Sequence, residues 1–208
     1  MEALVYATQS NFYSLCDRLR VGAEDAQQTF QRLSVAYGQS FRSYHNLVHI
    51  DYMFHSLTRH NISPSSALDL AIWFHDIVYE IGGVENEQKS AECFVSCFDG
   101  LIDQSLQQDV TQLILATDLT SEVTSHPEAN LMIDLDLSIL GASPERYAEY
   151  QSKIRQEYRE MPENRFIIGR CKILQNFLTK PIYRTSSFAS LEAQARENLQ
   201  RELAGLNM

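Results

Sequence analysis

The sequence predicts an all-α protein of about nine or ten helices. Three observations support this fold class. Apolar residues recur at helical spacing in segment after segment, convincing period-2 alternation is absent, and proline-containing cap signals precede apolar runs. The length of 208 residues suits one domain with a sizeable core, and 44% hydrophobic residues place the chain among globular rather than disordered proteins. We therefore expect a single domain that spans residues 1–208.

The first part of the chain should contain six helices. Ser63-Pro64 combines an N-cap residue with proline at the first helical position, so it should open the fourth helix, and Gly82-Gly83 should end it. The six apolar faces are marked by Phe12, Leu15 and Leu19; by Ala26, Phe30, Leu33 and Tyr37; by Ile50, Met53, Phe54 and Leu57; by Leu68, Ala71, Ile72, His75 and Tyr79; by Ala91, Phe94, Val95 and Phe98; and by Val110, Leu113, Ile114 and Thr117.

The second part of the chain repeats these signals. Asp118–Asn130 is polar and contains Pro127, which predicts a loop, and Lys180–Ser187 should be irregular. Ser143-Pro144 should open another helix, and Pro162 should separate it from the next. The last three helical faces are marked by Tyr147, Tyr150, Ile154 and Tyr158; by Ile167, Cys171, Leu174 and Leu178; and by Leu191, Ala195, Leu199 and Leu203.

The charge balance restricts the partners. Seventeen Lys and Arg against 27 Asp and Glu give a net charge of −10, which argues against a long DNA or RNA partner. A small phosphorylated substrate remains compatible, because a local cationic pocket or a bound metal can outweigh the net charge. Self-association as a homodimer is left open.

The sequence favours a cytoplasmic location. It has no apolar run long enough to span a membrane, and its first residues lack a secretory signal. The four cysteines show no disulfide framework. Cys93 and Cys97 have i,i+4 spacing, so they are either metal ligands or small buried residues on one helix face.

Histidine and aspartate residues interrupt apolar stretches at three places. His45 and His49 lie four residues apart, so in a helix both rings would lie on one face. His75-Asp76 falls between Trp73-Phe74 and Ile77-Val78; alone, the pair also fits a core histidine beside a surface carboxylate. Asp134 and Asp136 lie in the apolar strip Leu131–Leu140. Such donors suit a divalent ion of Mn, Fe, Mg, Zn or Ni and leave room for water and substrate.

These residues resemble the signature of a known family. The order His, His-Asp, Asp in a helical setting is similar to the HD-domain metal-dependent phosphohydrolases. Tyr44–His49 resembles the YHNxxH signature of the cyclic-nucleotide phosphodiesterase branch. Asn86–Ala91 and Asp134–Gly141 are similar to a bacterial group of predicted HD-superfamily phosphohydrolases, and the resemblance runs from about Phe30 to the last helix.

The resemblance implies roles for individual residues. Metal ligands would be His49, His75, Asp76 and Asp136, and Asp76 would also belong to the catalytic set. His45 would protonate the leaving oxygen as a general acid, for which imidazole has a suitable pKa range. Asp134 would be a supporting partner or the alternative ligand.

The roles of two further polar residues, Glu87 and Arg42, can each be interpreted in two ways. Glu87 would either orient the attacking water or lie exposed at a helix start. Arg42 would either contact a phosphate or lie on the surface. Weaker phosphate-binding candidates are Lys89, Arg165, Arg170 and Arg184.

We therefore expect a metal-dependent phosphohydrolase that acts on a nucleotide or another small phosphate ester. The alternative is a non-catalytic metal- or nucleotide-binding sensor or scaffold domain. A third interpretation is a two-iron oxygenase. Between Asp76 and Asp134 the only histidine is His126, which we expect on the surface, so the chain departs from the two-metal members of the superfamily. The purine clamp of the phosphodiesterase branch is not recognisable.

Overall fold

Every regular element in the described residues, 9–119 and 125–206 of the computed structural model, is a helix. The prediction of an all-α fold is confirmed. The ten α-helices of these residues are α1 (Gln9–Arg18), α2 (Ala23–Tyr37), α3 (Leu47–Arg59), α4 (Ser66–Phe74), α5 (Asn86–Phe98), α6 (Gln104–Leu115), α7 (Ala129–Asp136), α8 (Pro144–Glu157), α9 (Glu163–Leu178) and α10 (Glu192–Leu206). Two short 3₁₀ helices, Leu137–Gly141 and Ala189–Leu191, precede α8 and α10.

The contacts divide the chain into two compact units, Met1–Met132 and Ile133–Met208. The boundary falls inside α7. The expectation of a single domain over residues 1–208 stays a prediction. No helix in the described ranges is both long enough and apolar enough to cross a membrane.

Helix α4 lies at the centre of the first unit. All its residues from Ala67 to Phe74 are buried, and it packs against α3, α5 and α6. The indole ring of Trp73 contacts the Phe12 ring edge-on, with ring centroids 5.3 Å apart. The rings of Phe74 and Phe94 are also edge-on, with centroids 5.3 Å apart. Each such buried aromatic ring stabilises the fold by about 1.5–3 kcal/mol. The run of apolar residues in α4 therefore reflects contacts on every side of the helix.

Both predicted ends of the fourth helix are wrong. Its N-cap is Ser65, whose hydroxyl accepts a hydrogen bond from the Leu68 amide at 3.0 Å. It ends at Phe74, well before Gly82-Gly83. At this end the Tyr37 hydroxyl donates to the Trp73 carbonyl at 2.9 Å and so satisfies one of the last carbonyls of the helix.

A buried ion pair lies inside the second unit. Arg170 on α9 and Glu202 on α10 are joined by hydrogen bonds of 2.7 and 3.0 Å, and the Tyr147 hydroxyl also donates to Glu202. The Arg170 guanidinium lies 5.3 Å from the centre of the Tyr150 ring. The interpretation of Arg170 as a phosphate ligand is wrong, because its charge is neutralised within the helix packing.

Other predicted boundaries in the second part of the chain hold. Ser143 caps α8 with Pro144 in the first turn, and residues 180–187 form no helix. The loop predicted from Asp118 to Asn130 is shorter at its end, since α7 begins at Ala129. Residues 120–124 of that loop lie outside the described ranges.

The cap of α4 can be tested by comparing two neighbouring serines. Ser65→Ala should lower the free energy of unfolding by about 1 kcal/mol, because the Leu68 amide loses its acceptor. Ser63→Ala should change it by less than about 0.5 kcal/mol, since Ser63 is an exposed residue outside the cap. Chemical denaturation of both variants measures the difference, and a larger loss in Ser63→Ala would contradict the assignment of the cap.

Candidate metal centre

Two histidines and an aspartate converge in the first unit. His49 Nε2 lies 3.2 Å from His75 Nε2, and Asp76 Oδ2 lies 3.1 Å from His75 Nε2 and 3.8 Å from His49 Nε2. His49 comes from the first turn of α3, and His75 and Asp76 directly follow α4. Both histidine side chains are buried, and Asp76 is mostly buried. The structure therefore brings these three predicted ligands together.

The spacing of these atoms fits a shared metal ion. Ligand atoms about 2.1 Å from one ion lie about 3.0 Å apart at right angles and about 3.4 Å apart in a tetrahedron. His75 Nδ1 lies 3.0 Å from the Ile72 carbonyl, which assigns the proton to Nδ1 and turns Nε2 towards the cluster. A ring held in this way by a backbone carbonyl is the usual support of a metal-binding histidine. The donor set of imidazole and carboxylate suits a divalent ion.

The carboxylate of Asp76 is held in its ionised form. Burial alone would raise its pKa, but His75, with His45 and His49, holds the pKa of Asp76 well below its usual range. A proton on an imidazole or a metal ion between these atoms would stabilise the ionised carboxylate, and a metal ion would bind all three atoms at once.

His45 lies beside the cluster in a different setting. It precedes α3, and its ring stacks on Tyr79 with centroids 4.2 Å apart and planes at 29°. The centroids of the His45 and His49 rings are 6.0 Å apart. His45 is only half-buried, whereas His49 is buried. The pair that the sequence presents as equivalent therefore has one buried member in the ligand cluster and one accessible member beside it.

Asn46 separates the two histidines by capping α3. Its side-chain oxygen accepts a hydrogen bond from the Val48 amide at 2.9 Å, and its amide group donates to the carbonyls of Arg42 and Ser43. The expectation that both histidines lie on one helix face is wrong, because the cap places His45 before the helix. The sequence held the signal: asparagine directly before an apolar helical run is a favoured N-cap.

Arg42 fixes the two site-bearing segments relative to each other. Its Nη1 donates to the carbonyls of His45 at 3.2 Å and Asp76 at 2.6 Å, and its Nη2 donates to the Ile77 carbonyl at 2.9 Å. Its Nε donates to Gln39 at 3.0 Å, and its guanidinium faces the Tyr37 and Tyr79 rings. The interpretation of Arg42 as a surface residue is wrong, since the residue is 5% exposed. The interpretation of Arg42 as a phosphate ligand loses support, because its guanidinium donates to three backbone carbonyls and to Gln39.

The two aspartates of the second unit have different surroundings. Asp134 is fully buried, and its carboxylate holds the backbone of the 184–185 segment. Its Oδ1 accepts a hydrogen bond from the Arg184 amide at 2.8 Å, and its Oδ2 accepts hydrogen bonds from the Thr185 amide and hydroxyl at 2.8 and 2.6 Å. Burial raises the pKa of Asp134 in spite of these bonds. Both of its oxygens accept hydrogen bonds from the 184–185 segment, so the interpretation of Asp134 as alternative ligand loses support. Asp136 is half-buried at the end of α7, and its role as a ligand stays a prediction.

Three further residues that the sequence analysis considered lie in other parts of the first unit. Glu87 is half-buried in the first turn of α5, and its catalytic role stays a prediction. Lys89 pairs with Glu80 at 2.9 Å. His126 was expected on the surface, yet its side chain is only 10% exposed, 3.7 Å from Asp109, and its Nδ1 accepts from the Glu128 amide.

Comparison with known proteins adds no assignment. Neither a family model, nor a curated protein, nor a solved structure matches this chain. The resemblance to HD-domain phosphohydrolases therefore stays an expectation carried by the motifs.

The role of Arg42 predicts a specific defect. Arg42→Lys keeps the charge but loses the planar fork, so it should leave at least one buried carbonyl without a donor and cost about 1–3 kcal/mol of unfolding free energy. Affinity for a divalent metal should fall about 10-fold or more, as for other supporting partners of metal ligands. Denaturation and metal titration measure the two effects.

A matched control for this change is Arg18→Lys. Arg18 pairs with Asp69 at 2.9 Å through a side chain that is 57% exposed, so its replacement should cost less than about 1 kcal/mol and leave metal affinity unchanged. If Arg42→Lys behaves like Arg18→Lys in both measurements, the positioning role of Arg42 is refuted.

Replacing Asp134 and Asp136 one at a time should have different effects on stability and on metal binding. Asp134→Asn should lower the free energy of unfolding by about 1–3 kcal/mol, because amide nitrogen cannot accept the bonds of the 184–185 segment, and should leave metal binding intact. Asp136→Asn should weaken metal binding and change stability little. Elemental analysis of both purified variants reports the metal; loss of metal in Asp134→Asn alone would reverse the assignment.

Proposed function

We propose that this chain is a metal-dependent phosphohydrolase that acts on a nucleotide or another small phosphate ester. The observation that carries the proposal is the cluster of His49, His75 and Asp76 with the accessible ring of His45 beside it. The YHNxxH and HD motifs supply the same residues from the sequence side. Asp136 is proposed as the fourth ligand, in keeping with the motif order.

The chain's own residues would divide the reaction between them. A divalent ion held by His49, His75 and Asp76 would polarise a phosphoryl oxygen and lower the pKa of a coordinated water. His45 would deliver a proton to the leaving oxygen, and its stacking on Tyr79 fixes the orientation of the ring for that transfer. Glu87 would orient the attacking water. Arg42 would keep the loop of His45 and the turn of Asp76 in register.

One observation favours the alternative of a non-catalytic sensor or scaffold. The guanidinium of Arg42, the arginine next to the signature, donates to three backbone carbonyls, which makes it less available to a substrate phosphate. Substrate phosphate would then depend on the metal and on other donors. A domain that keeps the metal for stability or signalling would bind metal or nucleotide tightly without turnover.

The test combines elemental analysis with phosphate release from a panel of nucleotides and model esters, in several divalent metals. Wild-type protein should release phosphate only with metal, and His75→Ala and Asp76→Ala should lose both metal and activity. His49→Ala should also lose metal. His45→Ala should keep its metal and lose about 10²- to 10⁴-fold in rate.

His55→Ala is the matched control, because His55 lies on α3 with a side chain that is 41% exposed and pairs with Asp51. It should keep both metal and rate. Metal binding without turnover in any condition would favour the sensor, and two irons per chain would favour the oxygenase. If His45→Ala and His49→Ala empty the site alike, their proposed division of roles fails.

A further inference from the structure

A cleft with a volume of about 300 Å³ lies in the first unit and is lined by residues from α1, α3 and α4. Its charged residues are Arg18 on α1 and Asp69 on α4, and we call it the Arg18–Asp69 cleft. Its apolar lining includes four residues: Phe54, Leu57, Ile62 and Trp73. The cleft therefore combines a cation, an anion and apolar walls.

The two charged side chains contact each other and still have binding capacity. Arg18 Nη2 donates to Asp69 Oδ2 at 2.9 Å, and the Arg18 side chain is 57% exposed. In the described part of the chain, this bond uses one nitrogen of the guanidinium and one oxygen of the carboxylate. A guanidinium has five N–H donors, and an ionised carboxylate accepts at both oxygens. The pair can therefore bind one further group of each charge.

The charge of Asp69 is only partly neutralised by Arg18. Asp69 lies on α4, where all residues from Ala67 to Phe74 are buried. Burial raises the pKa of Asp69 to about 6, although Arg18 acts in the opposite direction. A second cationic group beside Oδ1 would stabilise the ionised carboxylate in a place where water does so poorly.

The apolar wall of the cleft has an accessible part and a buried part. Phe54 and Ile62 are half-buried, whereas Leu57 and Trp73 are buried. The rings of Phe54 and Trp73 have their centroids 5.6 Å apart and their planes at 52°. A small apolar group can contact the accessible surface of Phe54 and Ile62, and the removal of this surface from water favours binding.

The two charges restrict the class of ligand. A simple anion would be repelled by the Asp69 carboxylate, and a simple cation would be repelled by the Arg18 guanidinium. A molecule that carries both charges can place each of them against its opposite. The volume is at the lower end of the range for small-molecule sites, so it suits a single small zwitterion with an apolar group.

We propose that the Arg18–Asp69 cleft binds an apolar α-amino acid. The ligand carboxylate accepts hydrogen bonds from the guanidinium of Arg18, and the ligand ammonium group donates to Asp69. The ligand side chain packs against Phe54 and Ile62. This site is independent of the proposed hydrolase, because its described lining includes neither His45 nor a proposed metal ligand.

The test is calorimetric titration of the full-length protein with L-leucine and with three analogues. 4-Methylpentanoate lacks the ammonium group of leucine, 3-methylbutylamine lacks the carboxylate, and glycine lacks the side chain. Leucine should bind with a Kd below about 1 mM and at least about 10-fold more tightly than each analogue. The two charge analogues should bind weakly because each leaves one charge of the cleft without its partner, and glycine because it buries no apolar side chain.

Replacing the two charged residues one at a time should give opposite results with the analogues. Arg18→Gln should weaken leucine binding about 10-fold or more, but it should not weaken the binding of 3-methylbutylamine. Asp69→Asn should weaken leucine binding to the same extent, but it should not weaken the binding of 4-methylpentanoate. Because the Arg18 side chain is mostly exposed, Arg18→Gln should fold even if Asp69→Asn does not, and circular dichroism checks both variants.

Arg59→Gln and Asp17→Asn are the matched controls, since they remove the same charges from exposed residues outside the lining. Both should bind leucine as the wild-type protein does. Leucine binding that is absent, that is no tighter than the binding of the analogues, or that Arg18→Gln leaves unchanged would overturn the proposal. Arg18→Gln should keep the metal content of the wild-type protein, so this result is separate from the test of the hydrolase.

Discussion

The guanidinium of Arg42 is the interaction on which the candidate centre depends. A buried cation without partners would cost far more free energy than the site could supply, so its donors must stay engaged. Three of its acceptors are carbonyls of His45, Asp76 and Ile77, which belong to two separate segments. Because a guanidinium is planar, the directions of these bonds are fixed together. The turn that carries Asp76 and the loop that carries His45 therefore cannot move independently.

The cap at Asn46 creates the chemical difference between His45 and His49. Inside a helix the two rings would lie one above the other on one face, with similar burial. The extended backbone of Asn46 interrupts this relation and leaves His45 in the preceding loop, where Tyr79 supports its ring. A ligand needs a fixed, dry position, whereas a proton donor needs access to substrate and solvent. One side chain at the start of a helix thus provides two environments within four residues.

Much of the helical fold could be predicted because it rests on local periodicity, but the ends of α4 could not. Ser63 and Ser65 lie on either side of Pro64, and either serine could be the N-cap of α4. Which of them caps the helix depends on the residue at which the backbone becomes helical. At the end near Phe74, the carbonyls of Trp73 and Asp76 accept hydrogen bonds from Tyr37 and Arg42, which are far away in sequence. Backbone carbonyls carry no signature in the sequence, so the role of Arg42 was invisible. His49, His75 and Asp76 were predictable, since polar residues in apolar runs need partners.

The anchor at Asp134 has a consequence for the order of events during synthesis. The contacts described here among His49, His75 and Asp76 and around Arg42 join residues between Tyr37 and Tyr79, and the ribosome completes this part of the chain early. Asp134 must wait for Arg184 and Thr185, which follow it by 50 and 51 residues. Arg170 likewise waits for Glu202. A nascent chain that ends between these positions would hold a hydrated Asp134 carboxylate, and the second unit would close only when nearly all of its sequence has emerged.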